Sequence, residues 1–338
     1  YAEQYLLLKY YSNDTKFSNG VSIKLSALHP RFERNKIEDL EEELLPKLID
    51  LCELSKKNNI QLCIDAEENY RFILSLRILE KIISNPKLKD WNGLGLALQA
   101  YQKRAFFSIE WLNNLAVKNN KIIPIRLVKG AYWDTEIKIA QETGLKNYPV
   151  YTRKSITDLS WMACAIKLFN YQKNIFPAFA THNAYSIAFV EEIGKNKSFE
   201  FQRIHGMADL LHDYFNRPSN NNYQKCRIYA PVGNYEDLLP YLMRRLLENG
   251  ANTSFVNQLN DIKVDISEII FDPIKIINSY KKFENPQIPL PPKLYLPHRN
   301  NSKGYDLSHE KTRKKFINIF NDIEVNYKVS SLIKNYNI

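Results

Sequence analysis

At 338 residues the chain is long enough for two average domains or for one α/β barrel, which needs about 250. Hydrophobic residues at 44% and aromatic residues at 12% supply a packed core and exclude wholesale disorder. The net charge of +10 sits largely in Lys runs such as Lys56-Lys57-Asn58-Asn59 and Lys311 to Lys315. Those runs read as solvated surface before they read as an anionic-membrane or nucleic-acid site, and no basic stripe is interleaved with aromatic residues.

In chain order, Ala2 to Tyr11 reads as helix, and Val21-Ser-Ile-Lys-Leu25 alternates as a short strand. An amphipathic helix follows from Ile37 to Lys57, with Leu40, Leu44, Leu48 and Leu51 in register, and then a strand from Gln61 to Ala66. The pattern recurs: helix Asn69 to Ser84 before strand Gly95 to Gln99, and helix Arg104 to Lys118 before strand Ile122 to Val128. Helices Thr135 to Gln141 and Thr157 to Asn170 precede strand Ala178 to His182. Helix Ala184 to Ile193 precedes strand Phe199 to Arg203, and a less regular stretch leads to Arg227 to Ala230. A last helix, Leu239 to Asn249, sets Tyr241, Arg244, Arg245 and Glu248 on one face at i, i+3, i+4 and i+7.

Seven strands, most separated by helix, predict parallel pairing with helical crossovers. No Gly-x-Gly-x-x-Gly turn follows the first strand, so the expected fold is a (β/α)₈ barrel of the TIM type with one strand missing. The chain opens on Tyr1 inside a helical stretch, and a fragment of a longer protein is expected. From Asn285 the composition shifts to Pro286, Pro289, Pro291 and Pro292, which predicts a barrel domain over 1–285 and an extended linker over 286–338. Cys52, Cys63, Cys164 and Cys226 lack metal-ligand or C-x-x-C spacing and read as ordinary thiols of a reducing, cytoplasmic compartment. No apolar run approaches the roughly 18 residues of a membrane span.

Barrel enzymes carry their chemistry at the carboxyl ends of the strands. Those ends offer Lys24, Asp65 with Glu67, Gln99, Arg126 with Lys129, Thr181 with His182, Arg203 with His205, and Tyr229. Lys24, Arg126, Lys129, Arg244 and Arg245 on one mouth predict anionic ligands, a phosphate-bearing cofactor or a carboxylate substrate. The histidines and carboxylates form no metal-ligand pattern, and Gly-x-Ser-x-Gly is absent. A Schiff-base aldolase using Lys24 or Lys129 stays open at this point.

Ser22-Ile-Lys-Leu-Ser-Ala-Leu-His-Pro-Arg31, Ile64-Asp-Ala-Glu67, Gln99-Ala-Tyr-Gln-Lys-Arg104, Arg126-Leu-Val-Lys-Gly-Ala-Tyr-Trp-Asp134, Ala180-Thr-His-Asn183, His205-Gly-Met207, Arg227 to Gly233 and Arg244 to Phe255 closely resemble the proline dehydrogenase domain of bacterial proline utilisation A. The likeness runs from about residue 1 to 308. It implies an FAD enzyme that oxidises L-proline to Δ1-pyrroline-5-carboxylate and passes electrons to quinone at the cytoplasmic face of the inner membrane. It further implies that Lys24, Arg244 and Arg245 grip the substrate carboxylate, that Tyr229 and Tyr241 wall its ring with Tyr132 nearby, and that Asp65 orients these groups. Arg126 is expected beside the flavin N5, with Gln99, Val128, Gly130 and Trp133 along the isoalloxazine. Thr152, Lys154, Thr157, His182, Glu248 and Phe255 are expected on the rest of the cofactor.

Departures are Ile204 for the usual Leu, Ala208 for the usual Gly, and a first strand, with its acidic residue, expected before Tyr1. Leu290 to Leu307 resembles the family's link toward a glutamate-semialdehyde dehydrogenase domain, expected in cis or in trans. An inactive split-gene remnant is the alternative reading.

Overall fold

The computed structural model describes residues 19–215, 225–236, 238–239, 241–243 and 272–323. Seven strands lie among them: β1 (Gly20–Ile23), β2 (Gln61–Ile64), β3 (Leu94–Gln99), β4 (Ile123–Val128), β5 (Ile175–Ala180), β6 (Glu200–Ile204) and β7 (Lys225–Tyr229). All pair parallel, in the unbroken order β1 to β7. Helices fill the crossovers: α1 (Ile37–Lys57), α2 (Asn69–Ile83), α3 (Ala105–Asn119), α4 (Trp133–Glu142), α5 (Lys154–Asn170), α6 (Ala184–Ile193) and α7 (Asp209–Phe215). An order without reversal puts successive crossovers on one side, which is the winding of a TIM-type barrel and not of a doubly wound sheet.

Period-two alternation gives each strand two faces. One carries Ile23, Leu62, Ile64, Leu96, Leu98, Ile125, Leu127, Phe179 and Phe201, all at 1% exposure or less, packed with Leu40, Leu44, Leu48 and Leu51 of α1 and the inner faces of the other helices. Trp161, Phe169, Phe179, Phe199 and Phe201 interlock there edge to face, at centroid distances from 5.2 to 5.9 Å. The other face carries Ser22, Cys63, Arg126, Glu200, Gln202 and Arg227, which the register keeps on one side.

That polar face is concave. Across a flat sheet β2 and β7 would stand about 24 Å apart, five spacings of ~4.8 Å. Arg227 of β7 nevertheless donates to Gln61 of β2 at 3.0 Å, and Tyr229 to Asp65 at 3.3 Å. The sheet therefore curls until its outer strands face one another over a polar lumen.

The predicted boundaries shift at β5, which begins at Ile175. Pro177 has no N–H for the ladder, yet it pairs with Ile125 inside the strand. Thr181 and His182 consequently lie just past β5. The predicted helix Ala2 to Tyr11 lies outside the described residues.

Beyond α8 (Pro273–Asn278), capped by Asp272 accepting from Ile274 N–H, the chain passes over α4 and the start of α5 through turns and a short 3-10 helix at Pro291–Lys293. Asn285 N–H donates to Thr152, Tyr148 to the Pro289 carbonyl, and Gly304 N–H to the Gly144 carbonyl. The closing α9 (Glu310–Asn321) touches the barrel through Glu310 and Arg313 at Arg34 and leaves Ile317 and Phe320 exposed. No helix among the described residues is long and apolar enough to cross a membrane.

Gly95 faces the lumen where β3 meets β4, and a Cβ there would stand 2.5 Å from the Pro124 carbonyl oxygen. Gly95→Ala is expected to part these strands and lower stability by about 1–3 kcal/mol, read from the midpoint of denaturant unfolding.

Candidate active site

Parallel strands aim their carboxyl ends at one mouth, so the residues that end or follow each strand meet there. Lys24 follows β1 and Asp65 follows β2; Gln99, Val128 and Tyr229 end β3, β4 and β7. Arg126, two residues before the end of β4, is the hub. Its three guanidinium nitrogens donate at 2.6 Å each to Asp65 Oδ1, Gln202 Oε1 and Ser22 Oγ. The same guanidinium lies 5.2 Å from the Tyr229 ring centroid.

Asp65 shares its carboxylate, one oxygen taking Arg126 and the other the Tyr229 hydroxyl at 3.3 Å. Burial works against the Arg126 charge, but Cys63, Asp65 and Tyr229 around it more than offset this and raise its pKa. Burial and then the Asp65 carboxylate push the Tyr229 phenol up, so it stays protonated and donates. The Lys24 ammonium donates to the Tyr132 hydroxyl at 3.2 Å and keeps further N–H groups for a ligand. Tyr132 is fixed by its place at the N-cap of α4.

A second group lies along the strand ends and the start of α5. Gln99 is 2% exposed; its amide nitrogen donates to the Glu67 carbonyl at 3.1 Å, and its oxygen has no partner among the described residues. Gly130 holds a φ of +137°, and a Cβ there would stand 2.6 Å from the Tyr101 ring. Trp133, first residue of α4, donates its indole N–H to the Tyr151 carbonyl at 2.8 Å. Helix α5 starts with Lys154 and a buried Thr157, and Arg153 at its N-cap offers the first turn no side-chain acceptor. Such a turn suits an anion.

Asp158 binds both Lys129 and Lys154. Burial alone would raise its pKa, but the two ammoniums hold it below the usual carboxylate range, while burial lowers that of Lys129. Thr152, Arg153, Lys154, Ser155, Ile276, Tyr280 and Asn285 line a cavity of about 320 Å³. His182 accepts at Nε2 from Ile204 N–H at 3.0 Å, which ties it to the end of β6.

The structure thus gathers Lys24 with Tyr132, and Asp65 with Arg126 and Tyr229, while Gln99 and Val128 end β3 and β4, Gly130 and Trp133 follow β4, Thr152, Lys154 and Thr157 lie about the start of α5, and His182 follows β5. Tyr241 is half-buried. Arg244, Arg245, Glu248 and Phe255 lie outside the described residues. Arg203 does not join the site: it shares the face of Phe201 and pairs with Asp209, and His205 is exposed. Sequence reading missed Glu200 and Gln202 as partners of Arg126 and Arg227; the polar parity of Phe199-Glu-Phe-Gln-Arg203 was the available signal.

Residues 5–258 match the proline dehydrogenase family, and the chain belongs to it. It is 47% identical over 310 residues to the bifunctional protein PutA of Klebsiella aerogenes, a span that takes in 86% of this chain and 23% of that one. It is 30% identical over 224 residues to proline dehydrogenase 1 of Bacillus subtilis, 64% of each chain. Among solved structures, bifunctional proline utilization A superposes at a TM-score of 0.92 with 41% identity, over 98% of this chain and 34% of the other. The chain spans about a quarter of the length of the PutA proteins it matches.

One carboxyl near the site titrates in the physiological range. Glu136 of α4 is 2% exposed and accepts from Asn69 N–H at 2.6 Å, and burial pushes its pKa from 4.5 up to about 7. The folded state therefore holds this proton more tightly than the unfolded chain, and the stability that follows is lost as pH rises from 4.5 through 7. Glu136→Gln keeps an acceptor for Asn69 and removes the titration. The variant is expected to match the parent near pH 4.5 and to exceed it by about 2–3 kcal/mol at pH 8, measured by chemical denaturation at both values.

Proposed function

We propose that this chain is the flavin-dependent domain that oxidises L-proline to Δ1-pyrroline-5-carboxylate. The observation that carries the reading is the Lys24–Tyr132 and Arg126–Asp65–Tyr229 constellation at the mouth of a barrel whose sequence belongs to the proline dehydrogenase family.

The substrate is a cyclic amino acid whose reacting C–H lies beside both its carboxylate and its ring nitrogen. Holding the carboxylate rigidly therefore aims the reacting carbon. Lys24 supplies one ammonium, and Arg244 and Arg245 are assigned the bidentate part of the grip. Tyr132, Tyr229 and Tyr241 are assigned the walls of the ring pocket. Asp65 restrains Arg126 and Tyr229 from one carboxylate, so both hold their places without reorganising.

The buried Gln99 amide oxygen, which has no partner among the described residues, and the cationic start of α5 fit a flavin dinucleotide. Arg126, Gln99, Val128, Gly130 and Trp133 are assigned to its ring system, and Thr152, Lys154, Thr157, His182, Glu248 and Phe255 to its ribityl, phosphate and adenine parts. When bound, FAD supplies the hydride acceptor at N5.

Residues 1–285 then form the oxidising domain, and 286–338 lead toward an aldehyde dehydrogenase domain of the kind that bifunctional relatives carry. Quinone at the inner face of the cytoplasmic membrane is the assigned electron acceptor.

Purified protein supplied with FAD is expected to be yellow and to bleach anaerobically with L-proline and not with D-proline; a protein that binds no flavin, or binds it and stays oxidised, overturns the reading. Asp65→Asn removes the charge that Arg126 and Tyr229 share and is expected to lower kcat/KM for L-proline about 100-fold or more in steady-state assays.

A further inference from the structure

We propose that Glu200, acting through Gln202, is a positioning residue that fixes the hydrogen-bond polarity around Arg126. Its catalytic consequence rests on the function proposed above; its structural half does not.

A glutamine side chain can present either end of its amide to a neighbour. At Gln202 the choice matters, because only the oxygen can accept from Arg126 Nε, which lies 2.6 Å away. The deciding contact is at the other end of the amide. Gln202 Nε2 stands 2.6 Å from Glu200 Oε1, and an ionised carboxylate only accepts. The nitrogen must therefore face Glu200 and the oxygen Arg126.

Glu200 is itself held in one orientation. Arg227 donates to it from Nε and from a terminal nitrogen, both at 3.0 Å, and donates to Gln61 across the lumen at 3.0 Å. Glu200 and Gln202 are 5% and 7% exposed, so water does not compete for the contacts. Cations and anions alternate along this path: Arg227, Glu200, then Arg126 through the amide of Gln202, then Asp65. Arg126, Asp65, Glu200 and Arg227 all act electrostatically on the Cys63 thiol, which burial pushes up to about 11. The Arg227–Glu200 and Arg126–Asp65 ion pairs are thus neighbours inside one barrel.

A neutral Glu200→Gln side chain no longer dictates which end of the Gln202 amide faces Arg126. Gln202→Met removes the acceptor while leaving the Glu200–Arg227 pair whole. The test compares these two variants and their combination in the full chain, by two readouts. The first is the Nε–H resonance of Arg126 in ¹⁵N-arginine-labelled protein, assigned by its loss in Arg126→Lys; it needs no flavin and no activity. The second is the kcat and KM for L-proline.

Both single variants are expected to shift the Arg126 resonance and speed its exchange, and to lower kcat about 10-fold while KM changes less. The double variant is expected to resemble Gln202→Met alone, because Glu200 acts only through the residue already removed. An Arg126 resonance unchanged by Glu200→Gln, or additive losses in the double variant, overturns the proposal. Should Glu200→Gln fail to fold because Arg227 is left unpaired, Glu200→Gln with Arg227→Gln removes both charges, and the same shift is required of it. A wild-type protein that proline never bleaches defeats the proposed function and leaves the resonance test standing.

Discussion

A guanidinium in the lumen of a barrel is the constraint on which the rest of this structure depends. Barrel interiors are ordinarily filled by layers of branched apolar side chains. Here Arg126 sits 12% exposed at its side chain, and a partly buried cation that loses its partner costs about 3–5 kcal/mol. The chain answers with acceptors from three other strands: Ser22 on β1, Asp65 at the end of β2 and Gln202 on β6. Residues 104 and 76 positions away in sequence must converge on one group, which they can do only if the sheet curls. The ion pair and the curvature therefore specify each other. The apolar drive for the fold lies elsewhere, between the outer faces of the strands and the helices, where Leu40, Leu44, Leu48, Phe179 and Phe201 are fully buried.

This division of labour explains why a polar lumen is tolerable. A half-satisfied buried network is worse than an apolar core, whereas one in which each member has its partner becomes rigid. Arg126, Asp65, Gln202, Glu200 and Arg227 each have partners within 3.0 Å. The rigidity extends to Tyr229, which shares the Asp65 carboxylate, and so to the wall of the pocket. Gln99 stands apart, with a buried oxygen that has no partner among the described residues.

The fold was legible in the sequence because its signals are local. Strand runs such as Ile123–Val128 alternate, helices such as Ile37–Lys57 repeat Leu at helical spacing, and neither depends on distant residues. Site residues at strand ends were legible for a related reason: Lys24, Asp65 and Tyr229 stand where a parallel strand stops, and a barrel gathers such positions at one mouth. Glu200 and Gln202 lie inside a strand, where an apolar interior is the default expectation, and their role emerges only from pairing with β7 and β4. Glu136 was beyond reach. An acid in the first turn of a helix reads as a dipole partner, and nothing near it signals burial against the start of α2, 67 positions away. Strand β5 carries Pro177 within it, since a proline's missing N–H weakens a ladder without ending it.

The proline-rich segment shows how composition and contact can divide. Its sequence reads as a tether, yet it turns through a short 3-10 helix at Pro291–Lys293 and its approach is tied to the barrel. Tyr280 stacks its ring 3.9 Å from the Arg153 guanidinium and meets the Ser155 hydroxyl at 2.9 Å; Asn285 N–H then caps Thr152. All three contacts fall on the turn that opens α5, where Arg153 makes no side-chain cap. Tyr280 and Asn285 therefore line one side of the cavity beside that turn, which depends on chain that follows the barrel's last described strand. A tether that also lines this cavity couples whatever pulls on the C-terminal segment to the start of α5, through hydrogen bonds, one stacked cation and the packing of Ile288 against the cluster of Tyr101, Ile137, Ala140, Tyr148 and Val150.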